Sequence, residues 1–184
     1  AFTTDRPLNF YGAAPAELLL DAAGDGDMTF TGTASSTAET GAKVLRFGGN
    51  GAGAKTYSGA IAGSSQGPIS LVKQGTAEWT LSGVNNVTGI TLLQGTLTTA
   101  NPAALTTSTG VKLSGGTLRV AAAALNLDGT FTASPFSVTG PTTLSLATGS
   151  AEVRLPALTL AGGALDIVPA DGKIFVAGRS DGPL

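Results

Sequence analysis

The chain contains no cysteine and no histidine. Without cysteine there can be no disulfide, no thiolate metal ligand and no cysteine nucleophile. Without histidine, Ser-His-Asp and Cys-His catalysis, histidine-ligated zinc and a histidine pH switch are all excluded. Carboxylate chemistry is left, or none. Charge is scarce as well: Asp, Glu, Lys and Arg make up 12% of the residues, and the aromatics only 5%. A net charge of −2 and a pI near 4.9 provide no cationic field to collect phosphates, so nucleic acid is not an expected partner. No stretch approaches the ~18–20 consecutive apolar residues that cross a bilayer as a helix, so no membrane span is expected. Helical signal is thin because Thr, Ser, Gly and β-branched residues interrupt nearly every candidate window.

What is present points to turns and short strands. The 184 residues include 27 glycines and are 42% hydrophobic, enough for one elongated domain with a substantial core. The sequence opens AFTTDRPLNF with no initiator Met, which fits a secreted protein after signal-peptide removal. In APAELLLDAAG, Ala14 to Gly24, Pro15 and Glu17 would suit a short helix and Leu18 to Leu20 a buried strand. A short capping element is the preferred reading. Residues 1–43 are accordingly assigned to N-terminal strands or a cap, and 44–184 to continuous coils.

GITLLQGTLTTA, Gly89 to Ala100, nearly recurs as GVKLSGGTLRVA, Gly110 to Ala121. Aligning copies on the Gly-x-Leu phrase gives a ladder of Leu97, Leu118, Leu144 and Leu165, and a second ladder of Leu92, Leu113, Val138 and Leu160. Both repeat every 21 to 26 residues, a solenoid period. Side chains alternate along a strand, so these residues point inward, and Thr98, Arg119, Ser145 and Asp166 form an outward column. A third side is expected at Leu105, at Leu125 with Leu127, and at Val153 with Leu155. Gly95, Gly116 and Gly163 fall at corners, where positive φ suits glycine. Extra residues around Phe131 to Pro141 should form a projecting loop. The expected fold is all-β, a right-handed parallel β-helix with three short strands per coil.

Thr56 to Ala100 carries Ser58 to Ile61, Leu71 to Gly75, Trp79 to Gly83, Asn85 with Asn86, and Gly95 to Leu97. This succession resembles the autotransporter-associated β-helix repeat, also called the passenger-associated transport repeat. The resemblance covers about a quarter of the chain directly, and degenerate rungs continue to about Val168. It implies a β-helical passenger of a large bacterial surface or secreted protein, and it brings no catalytic residue. No region resembling a membrane β-barrel accompanies it.

Four candidate sites compete with plainer readings. Asp21, Asp25 and Asp27 could offer oxygens to Ca²⁺, but the EF-hand pattern needs more ligands and a closing Glu, so a solvated turn is preferred. Arg119, Arg154 and Asp166 could line an outer catalytic groove. Glycoside cleavage, however, needs two carboxylates roughly 5 to 10 Å apart, and no such pair stacks on adjacent rungs. Trp79 could stack on a sugar, yet it alternates in phase with Leu81 and reads as core. The file Thr96, Thr117, Thr143 and Ala164 suggests ice binding, but Arg119 and Asp166 interrupt the neighbouring file, and outward Thr is a good strand residue in any case.

At the C-terminal end, Ile174 to Ala177 read as a strand with no amphipathic cap behind it. Either the chain is a fragment of a longer solenoid, or its open edge stacks on another copy. The sequence therefore leads to a non-catalytic structural protein, with no cofactor, of the bacterial surface or extracellular space. It is a scaffold, stalk or adhesive module that joins end to end into filaments. A carbohydrate-binding or carbohydrate-cleaving β-helix, with surface glycans as partners, or an adhesin passenger fragment is the alternative.

Overall fold

A computed structural model describes residues 1–36, 40–101, 103–105, 110–121, 124–126, 136–147, 152–155, 158–168 and 173–176. Its first coil holds β1 (Phe2–Thr4), β2 (Leu8–Phe10) and β3 (Ala16–Asp21). The next holds β4 (Met28–Phe30), β5 (Ala34–Ser36) and β6 (Lys43–Gly48), followed by β7 (Lys55–Tyr57), β8 (Ile61–Ala62) and β9 (Ile69–Lys73). Then come β10 (Glu78–Leu81), β11 (Asn85–Asn86) and β12 (Ile90–Leu92), and after them β13 (Thr96–Thr99) and β14 (Val111–Leu113). Later coils hold β15 (Thr117–Val120), β16 (Ala124–Asn126) and β17 (Phe136–Val138), then β18 (Thr142–Leu146), β19 (Glu152–Leu155) and β20 (Leu158–Leu160). β21 (Leu165–Val168) and β22 (Lys173–Val176) follow.

These strands stack into a parallel β-solenoid, and the described residues contain no helix. One face is an eight-stranded sheet, β1-β4-β7-β10-β13-β15-β18-β21. A second is seven-stranded, β3-β6-β9-β12-β14-β17-β20. The remaining side consists of a four-stranded sheet, β2-β5-β8-β11, and a three-stranded one, β16-β19-β22. Every pairing is parallel.

Period-two alternation puts one side chain in two inside. In β9, Ile69, Leu71 and Lys73 are buried and Ser70 and Val72 are not. In β18, Thr142, Leu144 and Leu146 are buried between half-exposed Thr143 and Ser145. The core is one continuous column running from Phe10 to Leu146. A one-residue slip would turn each strand's apolar set to water, so burial itself fixes the register.

The second expected ladder stands as read: Leu92 faces Leu113, Leu113 faces Val138, and Val138 faces Leu160. The first stands through Leu97, Leu118 and Leu144 and then shifts. Leu144 faces Ile167, and Leu165 faces Thr142. Equal spacing from glycine to leucine fails at the last corner, and an offset of two residues keeps Leu165 in the inward phase. The outward column shifts with it: Ser145 faces Val168, and Asp166 faces Thr143.

Two further expectations need correction. Ala14 to Gly24 contributes no cap. It supplies β3, whose six residues pair with β6 from Ala16↔Lys43 to Asp21↔Gly48. Leu18 and Leu20 sit on the inner phase, against the run containing Leu45 and Phe47, and Pro15 lies just outside the strand, where its missing N–H costs no ladder bond. At the last corner, Gly162 takes the positive φ, +78°, and Gly163 does not. Gly163 matters for closeness, because an added Cβ would meet Val138 O and Gly140 N at 2.7 Å.

On the remaining side, Leu105 is fully buried but lies in a turn. Leu125 pairs with Val153, and Leu155 with Val176, at the level of the backbone. Leu127 and residues 131–135 lie outside the described residues.

Candidate functional site

The corner between the seven-stranded and eight-stranded sheets is built from glycine. Gly49, Gly75, Gly95 and Gly116 occupy successive corners with φ of +99°, +70°, +73° and +75°. An added Cβ on Gly75, Gly95 or Gly116 would collide with the carbonyl oxygen of the preceding glycine in the file. Both the dihedral and the space therefore demand a residue without a side chain.

The interior holds three lysines that sequence reasoning missed, Lys55 and Lys73 beside these corners and Lys43 at the start of β6, beside the turn that leads into β3. Lys43, Lys55 and Lys73 are each only 1% exposed. Lys43 Nζ donates to Gly12 O at 2.6 Å and Ala14 O at 2.5 Å. Lys55 Nζ donates to Gly26 O and Gly53 O, both at 2.8 Å. Lys73 Nζ donates to Gln74 O at 2.9 Å, Gly75 O at 2.7 Å and Gln94 O at 3.1 Å. An ammonium carries three donors and no acceptor, so a nest of corner carbonyls suits it. The lysine stems fill core space while the heads neutralise turn dipoles.

Neither ion pair recorded among the described residues involves these lysines. They join Arg46 to Glu17 at 2.8 Å and Arg119 to Glu78 at 3.7 Å. Burial alone pulls Lys73 down to about 8. Tyr57 is pushed up to about 12, again by burial, and its hydroxyl donates to Gly32 O at 2.9 Å. The signal for the lysines lay in the phase of Lys43-x-Leu45-x-Phe47 and Ile69-x-Leu71-x-Lys73.

Trp79 is fully buried, faces Leu97, and donates its indole N–H to Gly48 O at 2.9 Å. It packs 4.9 Å from Phe47 and 6.1 Å from Phe30, ring centre to ring centre, so it serves the core and offers no platform to a sugar. Asn85, also buried, accepts from Ile61 N and donates to Ala104 O, tying three coils together.

The aspartates of the Asp21 to Asp27 turn are put to structural use. Asp25 Oδ1 accepts from Ala52 N at 3.0 Å, and Asp27 Oδ1 from Ala54 N at 2.9 Å, each holding the next coil's turn. Asp21 is exposed at the end of β3. Among the described residues no three acids cluster as a metal site would require. Arg119 is exposed, and the side chain of Arg154 lies outside the described set. No two carboxylates face each other in any described strand pairing.

One shallow groove, of about 450 Å³, runs along the glycine corner under Asp21, Asn50, Gln74 and Gln94, with Leu19 in its wall.

None of the family models, curated proteins or solved structures compared with the chain matches it.

Proposed function

We propose that this chain is a non-catalytic structural module of the bacterial surface or extracellular space, a β-solenoid scaffold that joins end to end with other copies. The observation that carries this reading is the first rung. β1, β2 and β3 each form the edge of their sheet, and an edge presents unpaired N–H and C=O groups to a further parallel strand. The rung is also apolar. Phe2 is 53% exposed, and Leu8, Leu18 and Leu20 are half-buried where inner positions of later coils are closed. A stacked copy would extend three ladders at once and cover that surface. Such contacts are head to tail, so they propagate unless they close a ring. The resemblance to the passenger repeat supports an extracellular setting.

A concentration series followed by light scattering and negative-stain electron microscopy tests this. Fibres with a regular subunit repeat are expected. A monodisperse monomer at every concentration would overturn the assembly role. The groove along the glycine corner favours a second reading, glycan binding, because its amide and carboxylate groups can exchange hydrogen bonds with sugar hydroxyls. A glycan array separates the two.

A further inference from the structure

The outer surface of the eight-stranded sheet carries a feature that does not depend on the ends. Register places Thr3, Thr29, Thr56, Thr80 and Thr98 in facing positions on five successive rungs. Two residues further along, Thr31, Ser58 and Ser82 form a second file. Their N–H groups continue the ladder to Thr4 O, Phe30 O and Tyr57 O at 2.9, 2.8 and 3.1 Å. The outer face therefore repeats a pair of hydroxyls over three consecutive rungs. The repeat is about 4.8 Å along the axis, and about 6.6 Å across it between residues i and i+2.

Several properties of this grid point to one kind of ligand. The hydroxyls of Thr3, Thr29, Thr56 and Thr80 make no hydrogen bond among the described residues. Those of Thr31 and Ser58 lean on Thr4 O and Phe30 O at 3.3 Å and keep their acceptor lone pairs free. β-branching makes the threonines stiff at χ1, so little entropy is lost when the file is pinned. The six grid positions are uncharged, and Glu78 stands on the same outward phase, two residues before Thr80 in β10. The nearest carboxylates are engaged: Asp27 holds Ala54 N, and Glu78 accepts from Thr98 Oγ1 at 2.7 Å. The strand positions of this outer face hold no aromatic ring, so the stacking platform on which soluble sugars are gripped is missing.

A rigid, uncharged hydroxyl array periodic in two directions is complementary to a solid that is also neutral, periodic and made of hydrogen-bonding oxygens. We propose that this face binds the surface of ice. Each hydroxyl would occupy or anchor one water site in a lattice row, and the threonine methyls would lie against the gaps between rows. Each contact is weak, but contacts on one rigid body add as linked binding events. The grid ends at β10: Thr98 faces Arg119 in the next rung, and the Thr96, Thr117 and Thr143 file beside it starts against Glu78 and ends on Asp166.

The test is partition of the full chain into slowly growing ice, read as the protein fraction in the solid, together with the shape of crystals held just below freezing. The wild-type chain is expected to enrich in ice and to facet the crystals. Thr56→Lys, at the centre of the grid, should lose that partition while its far-UV circular dichroism stays unchanged. Thr80→Tyr serves as a second disruption should the lysine variant fold poorly. Ser137→Lys, on the outer face of the seven-stranded sheet, should partition like wild type. Exclusion of the wild-type chain from ice would overturn the proposal. So would equal partition of the folded grid variants, or retention on crystalline cellulose without any partition into ice.

Discussion

The interior changes character along the axis. From β4 to β10 it is aromatic and cationic: Phe30, Phe47, Tyr57 and Trp79 touch one another, and Lys43, Lys55 and Lys73 fill the ends of strands beside them. From β13 to β18 it is aliphatic, with Leu97, Leu113, Leu118, Val120, Val138, Leu144 and Leu146 buried and Phe136 the one buried aromatic among the described residues. Coil length does not follow this change: 27 residues separate Thr29 from Thr56 and 24 separate Thr56 from Thr80, while in the later half 21 separate Thr98 from Arg119 and 26 separate Arg119 from Ser145. Rings together with lysine stems fill the early interior, and leucine and valine fill the later one, each to close packing. The two halves thus solve one packing problem with different chemistry, and they should fail differently.

The largest expected loss is in the aromatic half. Trp79→Ala should cost about 3–5 kcal/mol, read as a lower urea midpoint, because it empties the centre of the ring cluster and leaves Gly48 O without its donor. Leu118→Ala in the aliphatic half should cost about 2–4 kcal/mol. Equal losses would erase the distinction.

Glycine substitutions compare the corners. Gly95→Ala should cost about 2–4 kcal/mol, because the φ penalty and the backbone clash act together. Gly162→Ala, where φ is positive but nothing lies within 4 Å, should cost only about 1–2 kcal/mol.

A third comparison uses pH. Lys73 is charged in the unfolded chain up to its ordinary range and loses its proton near 8 when folded. Between those values the unfolded state binds more protons, so stability rises with pH from about 8. Tyr57, raised to about 12, holds its proton longer when folded, so its contribution is present below about 10 and is lost as pH climbs toward 12. A stability maximum near pH 10 is expected, with a gain on the order of 2 kcal/mol from pH 8. Lys73→Met should abolish the rise, and a flat profile in the wild-type chain would refute the assignment.

The smallest effect should have the opposite sign. Thr99 Oγ1 is buried without a partner, in a column where Leu81 and Val120 are its neighbours. Thr99→Val should stabilise the aliphatic half by about 1 kcal/mol, visible as a raised melting temperature.

Much of the later half was legible in the sequence, because leucine at regular spacing between Gly and Thr marks both face and period. Leu92, Leu97, Leu113 and Leu118 show this directly. The earlier half was harder. Its rungs repeat as Thr-Phe-Thr, Thr-Tyr-Ser and Thr-Leu-Ser at 29–31, 56–58 and 80–82, with a different inward residue each time and no shared Gly-x-Leu phrase, so β1 to β5 merged into an apparent cap. The buried lysines escaped because residue type suggested water, although strand phase placed them inside. Leu165 and Gly163 were displaced because a corner can absorb one or two residues without disturbing the inward phase on either side.

The register from β1 to β18 has a mechanical consequence. Hydrogen bonds between parallel strands are evenly spaced and slanted, and they run roughly along the solenoid axis. Tension applied along that axis pulls on the terminal rung's bonds directly and in sequence, as a zip opens, instead of shearing many together. A stretched molecule should therefore shed coils from its ends at modest force, in steps the length of one coil. The interior change between β10 and β13 marks where the height of those steps should alter.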